Sequence, residues 1–429
     1  MKVVQAVFGV FHHFELAHQL RRRGHLQRIY STWPWARLKR EGLPHSLVRT
    51  FPLLHTSEYL LGRTGHAPPE LLSKLAAWNA LAFDRYTRFQ IPRDTGGYPD
   101  AFIAISGAGL LTGTEVQRHG GVFLCDRGST HQRFQDQVVH AEYRRWGLPL
   151  PLAKPHVLAR EEAIYAQADA ITVPSTVAKR SFVEMGVRAE KVHVIPYGVR
   201  LDRFSPANEP GAPHLDSEMW ASSDQSEIRN SSHKSVPDSS QSHRDEWVLP
   251  QTFELLFAGG VSLRKGVPYL LQAFAALRHP GKHLTVVGHI SDEIRTLLPS
   301  LPTEHVTFTG SLPQAELARL MARSHALVLP SIEEGLALVQ GQAMACGCPV
   351  IATAATGAED LFTDGVEGFI LPQTEDPTAA LTARMQQLAD DPTLHRSMRS
   401  AALARVQQLG GWDHYGELWE SLLLSLTQR

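Results

Sequence analysis

Cysteine is scarce in this 429-residue chain, which holds only Cys125, Cys346 and Cys348. Three thiols make no disulfide framework, and Cys-x-Cys is not the usual zinc or redox spacing. They read as small buried residues in a reducing compartment. Neither sign of charge is in excess, with 42 Lys and Arg against 43 Asp and Glu. A nucleic-acid protein would usually be basic, so no nucleic-acid partner is expected. Long hydrophobic runs are missing too: nothing approaches the ~20 apolar residues of a membrane span. Met1 to Phe11 is apolar after Lys2 but lacks a small-residue cleavage site, and it reads as a first strand rather than a signal peptide. No Gly-x-Gly-x-x-Gly follows that strand, which argues against a Rossmann dehydrogenase. Short-period repeats are also absent.

The length exceeds one ordinary core and makes two domains the prior. Compact apolar runs occur at Val3–Phe8, Ile29–Thr32, Leu47–Phe51, Ala101–Ser106, Val122–Asp126, Ala170–Pro174 and Val192–Pro196. Helical patterns lie between them, as at Phe14–Arg23, Pro69–Phe89 and Ser175–Met185. Short apolar strands alternating with helices predict a parallel sheet covered on both faces, that is, one Rossmann-like domain over 1–206. The stretch 207–248 is dense in Ser, Asp, His, Asn and Pro, and is expected to be a polar linker or surface insertion. Alternation resumes over 249–410, with strands expected at Phe253–Ala258, His283–Val287, Val306–Thr309, Ala326–Leu329, Val350–Thr353 and Phe369–Leu371. The fold class is therefore α/β, with two Rossmann-like domains. Residues 411–429 carry aromatic and leucine spacing from Trp412 to Leu426 that suits a terminal amphipathic helix.

Charge is uneven near the N-terminus, where Arg21, Arg22, Arg23, Arg28, Arg37, Lys39, Arg40 and Arg49 meet few acids. A solvated helix face accounts for such a run; a patch touching anionic lipid or an anionic acceptor is the other reading.

Two loops of the second domain carry chemistry. Gly259-Gly260-Val261-Ser262-Leu263-Arg264-Lys265-Gly266 follows a strand and precedes a helix, so its glycines admit a ligand to the backbone and its bases offer charge to phosphate. The Gly-Lys-Ser/Thr order of a Walker loop is absent. The second loop, Leu329-Pro330-Ser331-Ile332-Glu333-Glu334-Gly335-Leu336-Ala337, runs from a buried strand through an acidic pair into a short helix. Free amides at a helix start favour phosphate, and a carboxylate beside them accepts from hydroxyls. One basic and one acidic loop at the same sheet edge describe a nucleotide-sugar pocket.

At these residues the chain resembles the retaining glycosyltransferases of the glycogen-synthase-like group, whose two Rossmann domains face across a cleft (the GT-B architecture). The likeness rests on the Lys265-Gly266 loop and on Glu334 with Gln342 eight positions on, ahead of Ala343-Met344-Ala345-Cys346-Gly347. It extends to Ala168-Asp169-Ala170, Ile195-Pro196-Tyr197-Gly198-Val199, Thr356-Gly357-Ala358-Glu359-Asp360 and Asp364-Gly365-Val366-Glu367-Gly368. The resemblance implies that Lys265, helped by Arg264 and the Gly259-Gly260 backbone, contacts the donor diphosphate. Glu334 would hold the transferred sugar, and amides around Gly335, Leu336 and Ala337 would receive phosphate. Gln342 stands where relatives carry a second acid for the ribose; an amide accepts from a hydroxyl without charge assistance. Gly260 stands where many relatives have an arginine. His289 reads either as a lining of the donor crevice or as an exposed loop histidine.

On the acceptor side, Gly9 is expected to let the backbone approach the ligand. The family places a histidine just after a central strand, near the reacting carbon. Here the strand end gives Asp126 or Arg127, and His131 follows; His131 is the residue chosen, with a loop or core histidine as the alternative. Trp33, Trp35, Arg37 and Lys39 are suggestive of an acceptor pocket. His12, His13, Glu15 and His18 invite a metal reading, but the order is not His-Glu-x-x-His and the sequence shows no remote third ligand, so no metal is expected.

What the resemblance implies is sugar transfer from a nucleotide diphosphate sugar to a glycan, lipid-linked or small-molecule acceptor. Configuration would be retained, with no metal and no cofactor beyond the donor as co-substrate. The terminal helix would cross back to brace the first domain. The expected place is the cytoplasm, and the basic N-terminal region is compatible with peripheral contact at the inner face of the membrane. Two rivals are a nucleotide-sugar-binding protein with a decayed site, motivated by Gln342 and Gly260, and a nucleotide-sugar epimerase on the same fold.

Overall fold

The structure, a computed structural model, describes residues 1–63, 67–151, 154–201, 203–205 and 252–428. The expected linker at 207–248 lies outside the described residues. Seven strands form the first sheet: β1 (Val3–Val7), β2 (Leu26–Ser31), β3 (Val48–Thr50), β4 (Ala101–Ile105), β5 (Val122–Asp126), β6 (Ala170–Val173) and β7 (Val192–Val194). Their order is β3-β2-β1-β4-β5-β6-β7, every pair parallel. The second sheet holds β8 (Phe253–Ala258), β9 (Lys282–Val287), β10 (Val306–Gly310), β11 (Ala326–Leu329), β12 (Val350–Thr353) and β13 (Gly368–Leu371), in the order β10-β9-β8-β11-β12-β13. This is the α/β architecture that the alternating runs predict. Central strands such as β1 and β11 are buried along their whole length, because helices cover both faces of a parallel sheet. Edge strand β10 alternates partly buried Val306 and Phe308 with exposed Thr307 and Thr309.

In both sheets the strand order reverses beside the first strand, between β1 and β4 and between β8 and β11. Ligands in open α/β sheets bind at such a switch point, outside the carboxyl ends of the strands. The loops 259–266 and 330–337 leave β8 and β11, which pair through Leu255 with Ala326 and Leu256 with Leu327. The two candidate donor loops are therefore neighbours by topology.

The helix Gly411–Thr427 follows a helix of the second domain, Pro392–Gln408, yet its core belongs to the first. Tyr415, Trp419 and Leu423 pack with Leu16, Ala17 and Leu20 of the helix His13–Arg22. Its acids also answer the basic run. Arg22 pairs with Asp413 at 2.7 Å, and Arg23 and His25 reach Glu420 at 3.3 and 2.6 Å. Arg49 pairs with Asp94 at 3.0 Å, and Arg28 donates to the Asp94 carbonyl. Arg22, Arg23 and Arg49 of the basic run are thus paired with acids far away in sequence. Arg37 instead lies over the Trp33 ring, 3.8 Å from its centroid. No helix among the described residues is long and apolar enough to cross a membrane.

Trp419 is fully buried. Trp419→Ala should cost about 3–5 kcal/mol of stability, read as a lower denaturant midpoint; an unchanged midpoint would show that the helix is not part of the first domain's core.

Candidate active site

The basic loop is shaped by one tight turn. Gly266 has φ 68°, and a Cβ there would stand 1.9 Å from the Pro330 carbonyl oxygen, so this backbone can lie against the acidic loop only as glycine. The Ile332 amide donates to the Arg264 carbonyl at 2.9 Å and ties the loops together. Lys265 Nζ consequently meets Glu334 Oε2, and Ser331 Oγ donates to the same oxygen at 3.4 Å. Both partners of this pair are nearly buried. At Gly260 a Cβ would meet nothing within 4 Å, so the departure from arginine there leaves open space rather than a packing demand. His289 is half-buried, and its carbonyl accepts from Val261 at the edge of the same loop. Gly259 donates its amide to Val287.

Glu333, the other half of the acidic pair, has a different task. It is 1% exposed and accepts from Ser129 Oγ at 2.8 Å, Thr130 Oγ1 at 2.6 Å and Gln135 Nε2 at 2.8 Å, all in the first domain. From its own domain Arg264 donates at 3.0 Å. Burial works to raise its pKa, but Arg264 and the two hydroxyls hold it below the ordinary glutamate value. The residue after Glu334 makes the closest approach: a Cβ on Gly335 would lie 2.2 Å from the Gly128 carbonyl oxygen. Ser175 Oγ also donates to the Gly335 carbonyl at 2.5 Å, and Thr176 bonds Asp360 through its amide and hydroxyl at 2.8 and 2.6 Å. The two domains meet across these loops. Sequence reasoning noted the acidic pair but did not separate its members; the only signal was that two adjacent acids in a buried loop need two sets of partners.

The stretch expected to receive phosphate, around Gly335 to Ala337, is partly taken up by the protein itself. The Ala337 amide is already spent on the Thr356 carbonyl at 3.1 Å, because Thr353 to Gly357 folds over the loop. Gln340, which the sequence did not single out, anchors that fold: its amide donates to the Thr356 carbonyl and its oxygen accepts from the Thr356 hydroxyl. The helix Leu338–Ala345 carries no side-chain cap at its start. Gln342, on that helix, is half-buried. Leu336 reaches Gly357 and is buried.

His131 is corrected as well. It caps the helix Gln132–Arg145, with Nδ1 accepting from the Arg133 amide at 3.2 Å. Its ring lies 5.0 Å from both Tyr165 and Phe182, and burial lowers its pKa to about 4. A buried helix cap is a structural position. Arg127 likewise faces inward, donating to the Thr130 carbonyl, Ser106, Gln132 and Gln135. Burial opposes its charge, while Tyr165, Glu161 and Glu333 favour it and raise its pKa on balance.

Asp126 ends β5 and lies 2.7 Å from His12 Nε2 and 3.2 Å from His13 Nε2. The remote third group that the sequence did not show is thus Asp126. Gly9 turns the chain below them at φ 81°, against the Trp33 ring.

Residues 239–405 match the family model described as glycosyl transferases group 1, and residues 128–203 match that of glycosyltransferase family 4. A D-inositol 3-phosphate glycosyltransferase of Xylanimonas cellulosilytica is 27% identical over 355 residues, 75% of this chain and 76% of that one. Another, from Catenulispora acidiphila, is 29% identical over 274 residues, 60% of this chain and 58% of its own length. Among solved structures, the sucrose-phosphate synthase of Thermosynechococcus elongatus superposes with TM-score 0.66 at 20% identity, covering 99% of each chain. Anabaena HepE in complex with UDP gives 0.63 at 17% identity, covering 99% of this chain and 100% of that one.

At neutral pH, Glu333→Gln should destabilise the protein by roughly 1–3 kcal/mol, since Arg264 loses its ionised partner. Because the folded-state pKa of Glu333 is depressed, its contribution is present above the ordinary value near 4.5 and is lost as pH falls through the lowered one. The gap between wild type and Glu333→Gln should therefore narrow as the pH falls below the ordinary glutamate value in calorimetric scans. A constant gap would contradict this account.

Proposed function

Since the chain is a group 1 glycosyltransferase with two Rossmann-like domains of the GT-B kind, we propose that it moves a sugar from a nucleotide diphosphate sugar to a hydroxyl acceptor. The observation that carries this reading is the Lys265–Glu334 pair at the mouth of β8 and β11. With donor bound, Lys265 turns to the diphosphate and Glu334 to the sugar hydroxyls, so each exchanges one charged or polar partner for another. Neither is then left as an uncompensated buried charge, which would oppose binding. Arg264 and the uncapped start of the helix Leu338–Ala345 add positive potential where charge develops on the leaving diphosphate. Gln342 lies about one turn along that helix, towards the nucleotide end.

Retention follows in this reading from same-face attack by the acceptor. Glu334, the donor-side carboxylate, is taken up by the sugar hydroxyls once donor is bound and keeps Ser331 beside it, which makes it a poor nucleophile in that setting. Charge stabilisation by Lys265, Arg264 and backbone amides leaves no step that requires a metal or a cofactor. Uridine diphosphate sugars are the first donors to test, because HepE is a fold neighbour solved with UDP. The relatives' names put D-inositol 3-phosphate first in an acceptor panel that also holds hexose phosphates and short glycans.

Thermal-shift screening against UDP-, GDP-, ADP- and TDP-sugars should show one donor stabilising the protein, and UDP release should then follow addition of an acceptor. Lys265→Ala and Glu334→Ala should each lower transfer by at least about 100-fold in a protein that remains folded, with a lower melting temperature because the partner left behind is a nearly buried charge without its counter-charge. Wild-type turnover in Glu334→Ala would remove the site assignment. Gln342→Glu should bind donor equally or more tightly by calorimetry, through a charge-assisted bond to the ribose; a large loss of affinity would mean that the amide serves another donor geometry.

A further inference from the structure

Two imidazoles at the start of the helix His13–Arg22 gather on one carboxylate oxygen at the end of β5. We propose that His12, His13 and Asp126 form a site for a divalent transition-metal ion of the zinc kind. The site is independent of the transfer reading, since no step proposed above uses it.

The first observation is a buried side chain without partners. His13 is fully buried, and among the described residues neither of its ring nitrogens makes a hydrogen bond. Its Nε2 nevertheless lies 3.2 Å from Asp126 Oδ2. Protein interiors rarely leave both nitrogens of a ring unpaired, because each has lost its water without replacement. Gln5 shares the defect: its amide donates to the His13 carbonyl at 3.4 Å, while its Oε1 has no partner. A cation on His13 Nε2 places the ring proton on Nδ1, and Gln5 Oε1 is the unpaired acceptor of that neighbourhood.

Charge supplies the second. Asp126 is 4% exposed, and the basic groups within ion-pair distance of it, among the described residues, are His12 and His13. A carboxylate buried without a permanent cation is costly. A divalent ion compensates it where two neutral imidazoles do not.

Geometry supplies the third. Ligand atoms of the three residues lie within 4.8 Å of one another. Zinc bonds imidazole nitrogen and carboxylate oxygen at about 2.0–2.2 Å, which sets tetrahedral ligands about 3.3–3.6 Å apart. His13 Nε2 is already nearly that far from Asp126 Oδ2, and His12 Nε2, at 2.7 Å, has to withdraw by less than about 1 Å. The two rings lie 4.3 Å apart with planes 32° from parallel, so consecutive residues reach the same oxygen. Thr172 Oγ1 holds Asp126 Oδ1 at 2.8 Å, the kind of outer partner that orients a metal-binding carboxylate. Two imidazoles favour zinc and its neighbours over magnesium or calcium, which take oxygen ligands, and three protein ligands leave the fourth position to water.

The cation would join segments that the sheet holds apart, since β4 lies between β1 and β5. Phe11, just before the histidines, has φ 43°. A non-glycine residue persists in that strained region where its surroundings over-determine it, and a metal clasp on the next two residues is such a surrounding.

Zinc is the probe, added to tag-free chain stripped with EDTA and desalted. Calorimetry should find one zinc per chain. Zinc about 100-fold above its dissociation constant should raise the melting temperature by about 3 °C or more. X-ray absorption should show nitrogen and oxygen neighbours at about 2.0–2.2 Å, with the scattering pattern of two imidazoles. His13→Leu should lose both the zinc and the shift, yet melt no lower than metal-free wild type, because it removes two unpartnered polar atoms from the core. Asp126→Asn should weaken zinc at least about 10-fold, and decides the matter should His13→Leu fail to fold. A wild type that binds no zinc, sulfur neighbours at the metal, or unaltered zinc binding in either folded variant would overturn the assignment.

Discussion

A buried carboxylate has to be fully partnered, and Glu333 takes its partners from both domains at once. Three residues of the loop and helix after β5 donate to it from one side and Arg264 from the other. That single requirement sets the approach of the domains and the seat of the basic loop. It also fixes the phase of the acidic loop. With Glu333 committed to the interface, its neighbour Glu334 is directed to Lys265. Adjacent acids that look alike in sequence thus divide into one that joins the two domains and one that pairs with Lys265 inside its own.

The contacts around Gly335 follow from the same constraint. Ser175, Gly128 and Gly357 converge on it from both domains, and no side chain larger than hydrogen fits against the Gly128 carbonyl. Backbone therefore lies against backbone where the loop after β11 meets the loop after β5. Water is squeezed from such a point, and a low local dielectric strengthens the charges aimed into it.

The fold was legible because its signals are local. Strands buried on both faces must be apolar runs, and nearly all thirteen match runs read from the chain to within a few residues. The Lys265 and Glu334 loops were legible for a related reason, since each is a short motif between a strand and a helix. What stayed hidden depends on partners far away in sequence. Arg22 looked unpaired because Asp413 lies 391 residues on, and His12 looked like one of a local histidine cluster because Asp126 is 114 residues away. His131 misled for the opposite reason, as its role as a helix cap is entirely local and was outweighed by its nearness to a strand end. The helix Leu53–Arg63 also went unread, because Leu53 and Leu60 are exposed and blur the apolar periodicity.

The helix Gly411–Thr427 carries a consequence for how the protein is made. The core of the first domain includes Trp419 and Leu423, so that domain is not a contiguous stretch of chain. During synthesis the second domain can bury its own core before these residues have left the ribosome, whereas the first must wait with Leu16 and Leu20 uncovered. The usual order, in which the N-terminal domain folds first, is reversed for its final step. Backbone at Gly198 and Trp412 is in close contact where the chain passes between the domains, so the late helix docks beside the outgoing strand of polypeptide.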